Sequence, residues 1–299
     1  MSGMSVTIKS VCTIAIFGLT ISLSHNSAAQ QITCSYTSFE GSKTGPGSGA
    51  YGINRFGATV GTWADAGFHS HGFYRSPEGK IFRFSVPKSV NTYPQGLNDS
   101  TIVGYYQNVS DNSSANGFKI GPKGLSRITY PGATYTEPLG INKKGDIVGW
   151  YALGDSPGVA FKLSGGQFTT FSYPGAFATV AWGINNSREI VGWWEDSSIT
   201  QSGFIYQNGQ FQNVSYPGST GTILTGVNDA GQISGYYLGP GPDQIPHGFV
   251  YSNGTFHLVD IPSTAANIAF GINANGDLAG VYQSVQFGLT TAFIGTDCH

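Results

Sequence analysis

The sequence predicts an all-β protein, a six-bladed β-propeller with four strands per blade, and three observations predict it. The 299 residues include 44 Gly and 13% aromatics but only 10% charged residues. Globular domains carry about a quarter charged residues, and so few of them beside so much glycine and aromatic side chain argue against a coiled coil, a helix bundle and a disordered chain. Second, one motif occurs six times. Third, its starts are separated by 44, 44, 43, 43 and 45 residues, the size of a four-stranded propeller blade.

The chain opens on a segment that is not fold. Lys9 precedes the apolar run from Val11 to Ile21, and Ser27-Ala28-Ala29 offers small residues for cleavage after Ala29, the pattern of a secretory signal peptide. The run is too short to span about 30 Å of hydrocarbon comfortably. Residues 1–29 are therefore expected to be removed, leaving residues 30–299 as a single secreted or periplasmic domain with no membrane insertion. That domain keeps Cys34 and Cys298; in an oxidising compartment two such cysteines read as a disulfide.

Each repeat has room for strands a to d. Strand a ends at Gly52-Ile53-Asn54, Gly96-Leu97-Asn98, Gly140-Ile141-Asn142, Gly183-Ile184-Asn185, Gly226-Val227-Asn228 and Gly271-Ile272-Asn273. The Asn-x-x-Gly that follows most of these reads as a tight turn, with Gly supplying positive φ. Strand b is the run through Gly61-Thr62-Trp63, Gly104-Tyr105-Tyr106, Gly149-Trp150-Tyr151, Gly192-Trp193-Trp194, Gly235-Tyr236-Tyr237 and Gly280-Val281-Tyr282. Strand c carries His71-Gly72-Phe73, Asn116-Gly117-Phe118, Val159-Ala160-Phe161, Ser202-Gly203-Phe204, His247-Gly248-Phe249 and Thr291-Ala292-Phe293. Asn208-Gly209 and Asn253-Gly254 predict type I′ turns into strand d, which runs out at Tyr130-Pro131, Tyr173-Pro174, Tyr216-Pro217 and Ile261-Pro262, since Pro cannot donate to a ladder. The sixth repeat stops after strand c. The segment Ile32–Phe39 reads as its missing strand d, which would close the ring and set Cys34 beside Cys298. The Gly45-Pro46-Gly47-Ser48-Gly49 run reads as a linker.

The strand-c triplets, with the Gly-Ile-Asn and Ile-Val-Gly runs, resemble the HAF repeats of a group of bacterial extracellular proteins. The resemblance covers essentially the whole mature chain. It implies an exported repeat architecture and carries no catalytic residue with it.

The a–b and c–d turns are short and alike, whereas the b–c connections are longer and all different, so any site is expected on the face shared by the b–c and d–a connections. Three residues before the strand-a glycine stand Gly49, Tyr93, Glu137, Val180, Ile223 and Ile268; Glu137 is the one charge among them. One residue earlier stand Ser48, Thr92, Thr136, Thr179, Thr222 and Asn267, and their recurrence in every repeat favours a structural hydrogen bond over a ligand contact. Glycoside cleavage needs two carboxylates at a fixed separation, and Glu137 with Glu195 or Asp65 is the candidate catalytic pair; Asp111, Asp155, Asp196 and Asp243 are further loop acids. Aromatic faces stack on sugar rings, which makes Trp63, Tyr93, Tyr135, Trp150, Trp193, Trp194 and Tyr237, with Asp196, the candidate ligand-binding set. Strand alternation buries one member of each strand-b pair, and the second member or its loop neighbour is expected to be partly exposed.

His69 and His71 are spaced for shared metal binding, but His71 occupies the repeat position of His247 and no third ligand follows at suitable spacing, so no metal and no cofactor is expected. No nucleophile elbow, phosphate loop or His-Glu-x-x-His occurs. The formal net charge of −2, without a basic run, argues against a nucleic-acid partner. The sequence therefore points to an exported monomer that binds a carbohydrate or cell-surface polymer. The alternatives are a glycoside hydrolase or polysaccharide lyase using Glu137, and a protein-interaction scaffold of the envelope.

Overall fold

The computed structural model describes residues 30–42, 45–108, 111–241, 244–284 and 290–298. The expected signal segment, residues 1–29, lies outside them, as does Asp243. Every named element among the described residues is a β-strand, 25 in all.

The strands pair as antiparallel meanders of four. The first is β3 (Ser48–Ile53), β4 (Thr59–Ala64), β5 (Ser70–Arg75) and β6 (Ile81–Phe84). The next is β7 (Ser89–Leu97), β8 (Ile102–Asn108), β9 (Asp111–Gly121) and β10 (Gly124–Ile128). Then come β11 (Tyr135–Ile141), β12 (Ile147–Ala152), β13 (Val159–Ser164) and β14 (Gln167–Phe171), followed by β15 (Ala178–Ile184), β16 (Ile190–Glu195), β17 (Gln201–Gln207) and β18 (Gln210–Val214). After β19 (Gly221–Val227), β20 (Ile233–Leu238), β21 (Pro246–Ser252) and β22 (Thr255–Val259) the chain ends in β23 (Thr264–Ile272), β24 (Leu278–Ser284) and β25 (Thr290–Thr296). The last meander takes its fourth strand from the start of the chain: β2 (Ser35–Phe39) pairs antiparallel with β25, from Ser35 opposite Thr296 to Phe39 opposite Ala292. The Cys34–Cys298 disulfide joins the two ends across 264 residues.

Three local expectations are corrected. The segment expected to form one closing strand is split: β1 (Gln30–Ile32) pairs in parallel with β22 of the preceding meander, and only β2 completes the last one. The Gly45–Gly49 run is less free than a linker, since Gly47 bridges Thr290 and Ser48 begins β3. The b–c connection of the second repeat is shorter than the long loop expected there from Gln107 to Ala115, since β8 runs to Asn108 and β9 starts at Asp111, the two residues paired past a register shift.

The repeated residues each answer a packing demand. The strand-c phenylalanines Phe73, Phe118, Phe161, Phe204, Phe249 and Phe293 are fully buried. The strand-b glycines make room for both the neighbouring strand and that ring: a Cβ on Gly61 would fall 1.9 Å from Gly49 O and 2.8 Å from the Phe73 ring. The strand-a glycines let innermost strands touch, a Cβ on Gly52 meeting Gln95 O at 2.8 Å and one on Gly271 meeting Tyr51 O at 2.9 Å.

The asparagine after each of those glycines works twice. Asn185 Oδ1 accepts the Ser187 and Glu189 backbone N–H groups at 3.0 and 2.9 Å, capping the a–b turn. Its Nδ2 donates to the backbone carbonyl of Asn228 at 3.1 Å. Asn54 donates in the same way to Asn98, Asn98 to Asn142, Asn142 to Asn185 and Asn228 to Asn273, and Asn273 donates to Asn54 at 3.1 Å. The turn glycines Gly57, Gly145, Gly231 and Gly276 have positive φ, as do Asn208-Gly209 and Asn253-Gly254 in the type I′ positions.

The threonine row is structural too. Thr92, Thr136, Thr179 and Thr222 Oγ1 accept the backbone N–H of Val86, Tyr130, Tyr173 and Tyr216 at 2.9–3.1 Å, tying the end of each strand d to the next strand a. Ser48 Oγ accepts from Gly41 N in the corresponding place, whereas Asn267 reaches strand d by donating from Nδ2 to the Val259 carbonyl at 3.2 Å while its Oδ1 accepts from Gly248 N of β21.

Candidate functional site

A β-bulge near the end of every strand a sets up the centre of the molecule. The pairing with strand b skips one residue each time, between Ala50 and Gly52, Pro94 and Gly96, Pro138 and Gly140, Ala181 and Gly183, Leu224 and Gly226, and Ala269 and Gly271. An extra residue of this kind re-aims a side chain. Of the skipped residues, Tyr51, Gln95, Leu139, Trp182 and Phe270 line a cavity of about 90 Å³, while Thr225 donates to the backbone of Ser234 and Ala269.

Glu137, Val180 and Ile268, two residues earlier in their strands, complete the strand-a part of the wall, and Tyr105, Trp150, Trp193 and Tyr236 add rings from strand b. Glu137 and Trp150 are opposite one another in the β11–β12 ladder. Trp150 Nε1 donates to Glu137 Oε2 at 3.1 Å in a buried setting. The indole is held by Tyr135, stacked at 6.1 Å between centroids, and by the space over Gly158, where a Cβ would meet it at 3.1 Å. Burial pushes the Glu137 carboxyl up from 4.5 to about 8, with the Trp150 bond opposing it. The sequence-derived candidates Tyr93, Tyr135, Glu137, Trp150 and Trp193 thus converge on one cluster, with Tyr93 stacked on Tyr105 at 4.8 Å.

Asp65 and Glu195 do not join Glu137 in that wall. Asp65 Oδ1 accepts the Gly67 and His69 N–H groups at 2.8 and 2.9 Å, and Oδ2 lies 3.0 Å from His71 Nε2. Those bonds, the one to His71 foremost, hold its carboxyl well below the usual range. Asp196 caps its own loop in the same way, accepting Ser198 N and Thr200 N at 2.8 and 3.0 Å. Glu195 is buried, accepts from Gln201 Nε2 at 3.3 Å, and has its carboxyl pushed up by that burial. Asp65 and Asp196 are therefore turn-formers, and neither Asp65 nor Glu195 lines the cavity wall that holds Glu137.

The remaining aromatics sit between meanders. Tyr151, Trp194 and Tyr237 stack on Tyr130, Tyr173 and Tyr216 at 3.6, 4.3 and 3.8 Å, each partner being the tyrosine of a preceding Tyr-Pro pair. The expectation of partial exposure for the second strand-b aromatic or its loop neighbour is met by Trp194 and Tyr237, is met at buried Tyr106 only by its neighbour Gln107, and fails at Tyr151, which is buried together with Ala152. His247 also stacks on Tyr237, at 5.0 Å, and His71 stacks on Trp63 at 4.6 Å. At Trp194 the residue in that cross-strand position is Ser202, and among the described residues Tyr173 is the one ring stacked on the indole. Around its edge Trp194 Nε1 donates to Asn213 Oδ1 at 2.9 Å, Asn213 Nδ2 to Ser215 Oγ at 3.1 Å, and Ser215 Oγ to Ser202 Oγ at 3.4 Å.

Sequence reasoning missed the bulge residues, Gln95 above all, and the exposed apolar side chains of the b–c and d–a connections. Phe68 is 78% exposed and Ile199 65% exposed, both at positive φ on loop tips, with Leu153 and Phe177 exposed on the same side. The signal for the bulge was present: the residue before each strand-a glycine varies freely, while the glycine does not.

No protein-family model and no curated protein matches the chain. Solved structures do match. The SapL1 lectin in complex with alpha methyl fucoside has a TM-score of 0.57 at 11% identity, over 85% of this chain and 94% of that one. The six-bladed β-propeller lectin of Aleuria aurantia, described with a novel fucose recognition mode, has a TM-score of 0.52 at 10% identity, over 82% and 90%. The β-propeller domain of the trilobed protease from Pyrococcus furiosus, with an open velcro topology, has a TM-score of 0.52 at 9% identity, over 83% and 79%. The fold is a β-propeller. Lectins and a protease share it, and a shared fold does not by itself transfer an activity.

Proposed function

We propose that this chain is an exported, carbohydrate-binding β-propeller of six blades, with its ring closed between the last meander and the first, and that Trp194 is a sugar platform. Three features support the closure: the asparagine bond from Asn273 to Asn54, the donated strand β2 and the Cys34–Cys298 disulfide. The disulfide also supports an oxidising, extracytoplasmic setting, in line with the signal-like segment 1–29 and the HAF-like triplets.

One observation carries the binding reading. The partly exposed Trp194 indole is stacked on Tyr173, stands opposite the small Thr179 and Ser202 in the neighbouring strands, and is edged by the hydroxyls and amide of Ser202, Ser215 and Asn213. A pyranose has the complementary form, with a C–H face for the ring and hydroxyls for the polar edge. The likeness to fucose-binding lectins supports this choice of ligand class over an envelope scaffold.

The test is retention of the mature protein on an immobilised glycan panel that includes fucosides, beside Trp194→Ala and Asn213→Ala. Retention of the wild type with a tenfold or greater loss in both variants is expected. Asn213→Ala spares the Tyr173 stack and guards against mere unfolding. No retention on any glycan overturns the carbohydrate reading, and equal retention by all three proteins overturns Trp194 as the platform.

A further inference from the structure

Two groups in the wall of the central cavity are not accounted for by the fold. Gln95 is only 4% exposed and its Oε1 has no hydrogen-bond partner among the described residues, a costly state for a buried carbonyl. The bulge position that it occupies holds Tyr51, Leu139, Trp182, Thr225 and Phe270 in the other repeats, so the repeat itself does not require an amide. Glu137, from the neighbouring strand β11, is buried in the same wall where other repeats place Gly, Tyr, Val or Ile.

Both groups offer acceptor oxygens. Among the described residues no lysine, arginine or histidine lines the cavity, and the other titratable groups of the wall are the phenols of Tyr51, Tyr105 and Tyr236. The rest is mostly ring surface, with Phe270 at the hub: Tyr51 meets it edge-on at 4.8 Å, Trp182 stacks on it at 5.9 Å, and Tyr236 meets it at 6.4 Å. Aromatic faces carry negative potential and attract cations, most strongly where water is excluded. Rings, a carboxyl and an unsatisfied carbonyl together describe a receptor for a cation that also has an N–H to give.

We propose that the central cavity binds a small organic ammonium ion bearing at least one N–H, with its charge set against Glu137, the N–H given to Gln95 Oε1, and its alkyl groups against the rings. The site is independent of the Trp194 platform and of the glycan reading. A cation beside Glu137 favours its ionised form, so binding expels the proton that burial otherwise retains up to about pH 8. Affinity therefore rises with pH toward that value, by up to about tenfold per unit.

The experiment is calorimetric titration of the full mature protein with trimethylammonium chloride and with the neutral tert-butanol of similar shape, at pH values of roughly 6, 7 and 8, spanning the range in which Glu137 releases its proton. Saturable binding of trimethylammonium, at least tenfold tighter than the alcohol and tightening with pH, is expected. Glu137→Gln keeps the side-chain shape and should weaken the ammonium at least tenfold and flatten the pH dependence. Gln95→Leu removes the unsatisfied oxygen, so it should fold at least as stably as the wild type yet bind the ammonium severalfold more weakly. Absence of trimethylammonium binding, equal binding of the alcohol, or undiminished binding by folded Glu137→Gln overturns the proposal.

Discussion

Glu137 shows how one residue can be conspicuous in a repeat and still need the structure to give it meaning. Alignment on the strand-a glycine singles it out as the charge in an otherwise uncharged row, and the cross-strand partner Trp150 follows from the same repeat. Its burial, which governs its acidity, depends on the surrounding repeats. Because the folded carboxyl is raised from 4.5 to about 8, the folded state holds a proton that the unfolded chain releases. Its contribution is complete below about 4.5 and is lost as pH climbs through 8. Urea unfolding should therefore show the wild type losing stability relative to Glu137→Gln between those limits, by several kcal/mol at about 1.4 kcal/mol per unit of pKa shift. Parallel pH profiles for the two proteins would show that the carboxyl is not buried as described. Gln95 lay beyond reach at this scale, because simple alternation fails at a bulge and does not reveal where the extra residue points.

At the scale of elements, the asparagines that follow Gly-Ile carry more than the turn that their spacing suggested. Local sequence accounts for the Oδ1 bonds within the a–b hairpin; the Nδ2 bond to the next repeat's carbonyl is a contact across more than forty residues and left no local trace. Asn185→Ala removes both, leaving the turn N–H groups of Ser187 and Glu189 without the Oδ1 acceptor and the buried Asn228 carbonyl with the Gly231 N–H alone. The expected cost is about 1–3 kcal/mol, read as a lower urea midpoint at unchanged slope. A loss no larger than that of a surface substitution would mean that water replaces the side chain at little cost. Strand b makes the same point about the aromatic pairs. Period-2 alternation correctly sends Trp193 to the central cluster and Trp194 between meanders, but whether the second ring is bare or covered turns on its neighbour in strand c: a histidine at Trp63 and Tyr237, a serine at Trp194.

For the whole molecule, the two chain ends matter most. The last meander borrows β2 from the N-terminus, and β1 goes on to pair with β22, so the first ten described residues stitch together two meanders formed late in the sequence. The Cys34–Cys298 bond fixes that junction across 264 residues. Its removal by Cys34→Ser with Cys298→Ser should cost about 2–5 kcal/mol, seen as a fall in Tm that reductant reproduces in the wild type and does not add to in the variant. An unchanged Tm would mean that strand pairing alone holds the ends. Among the described residues no helix is long and apolar enough to cross a membrane.

The sequence by itself determined the strand content, the repeat length, the four-strand plan, the type I′ turns and the cysteine pairing. The cysteine pairing follows from the expected mature domain keeping two cysteines; the rest arises from patterning that the linear chain displays directly, such as period-2 alternation, turn chemistry and a motif recurring at a fixed interval. The tertiary structure alone decided which acids meet, which aromatic faces stay open and what fills the centre. Asp65 and Asp196 look like site acids in the sequence and become loop caps in the fold, whereas Gln95 looks like nothing and becomes a buried acceptor with no partner among the described residues. The reason is physical: exposure, desolvation and convergence are properties of surfaces from different repeats brought together, and no residue's own neighbours along the chain encode them.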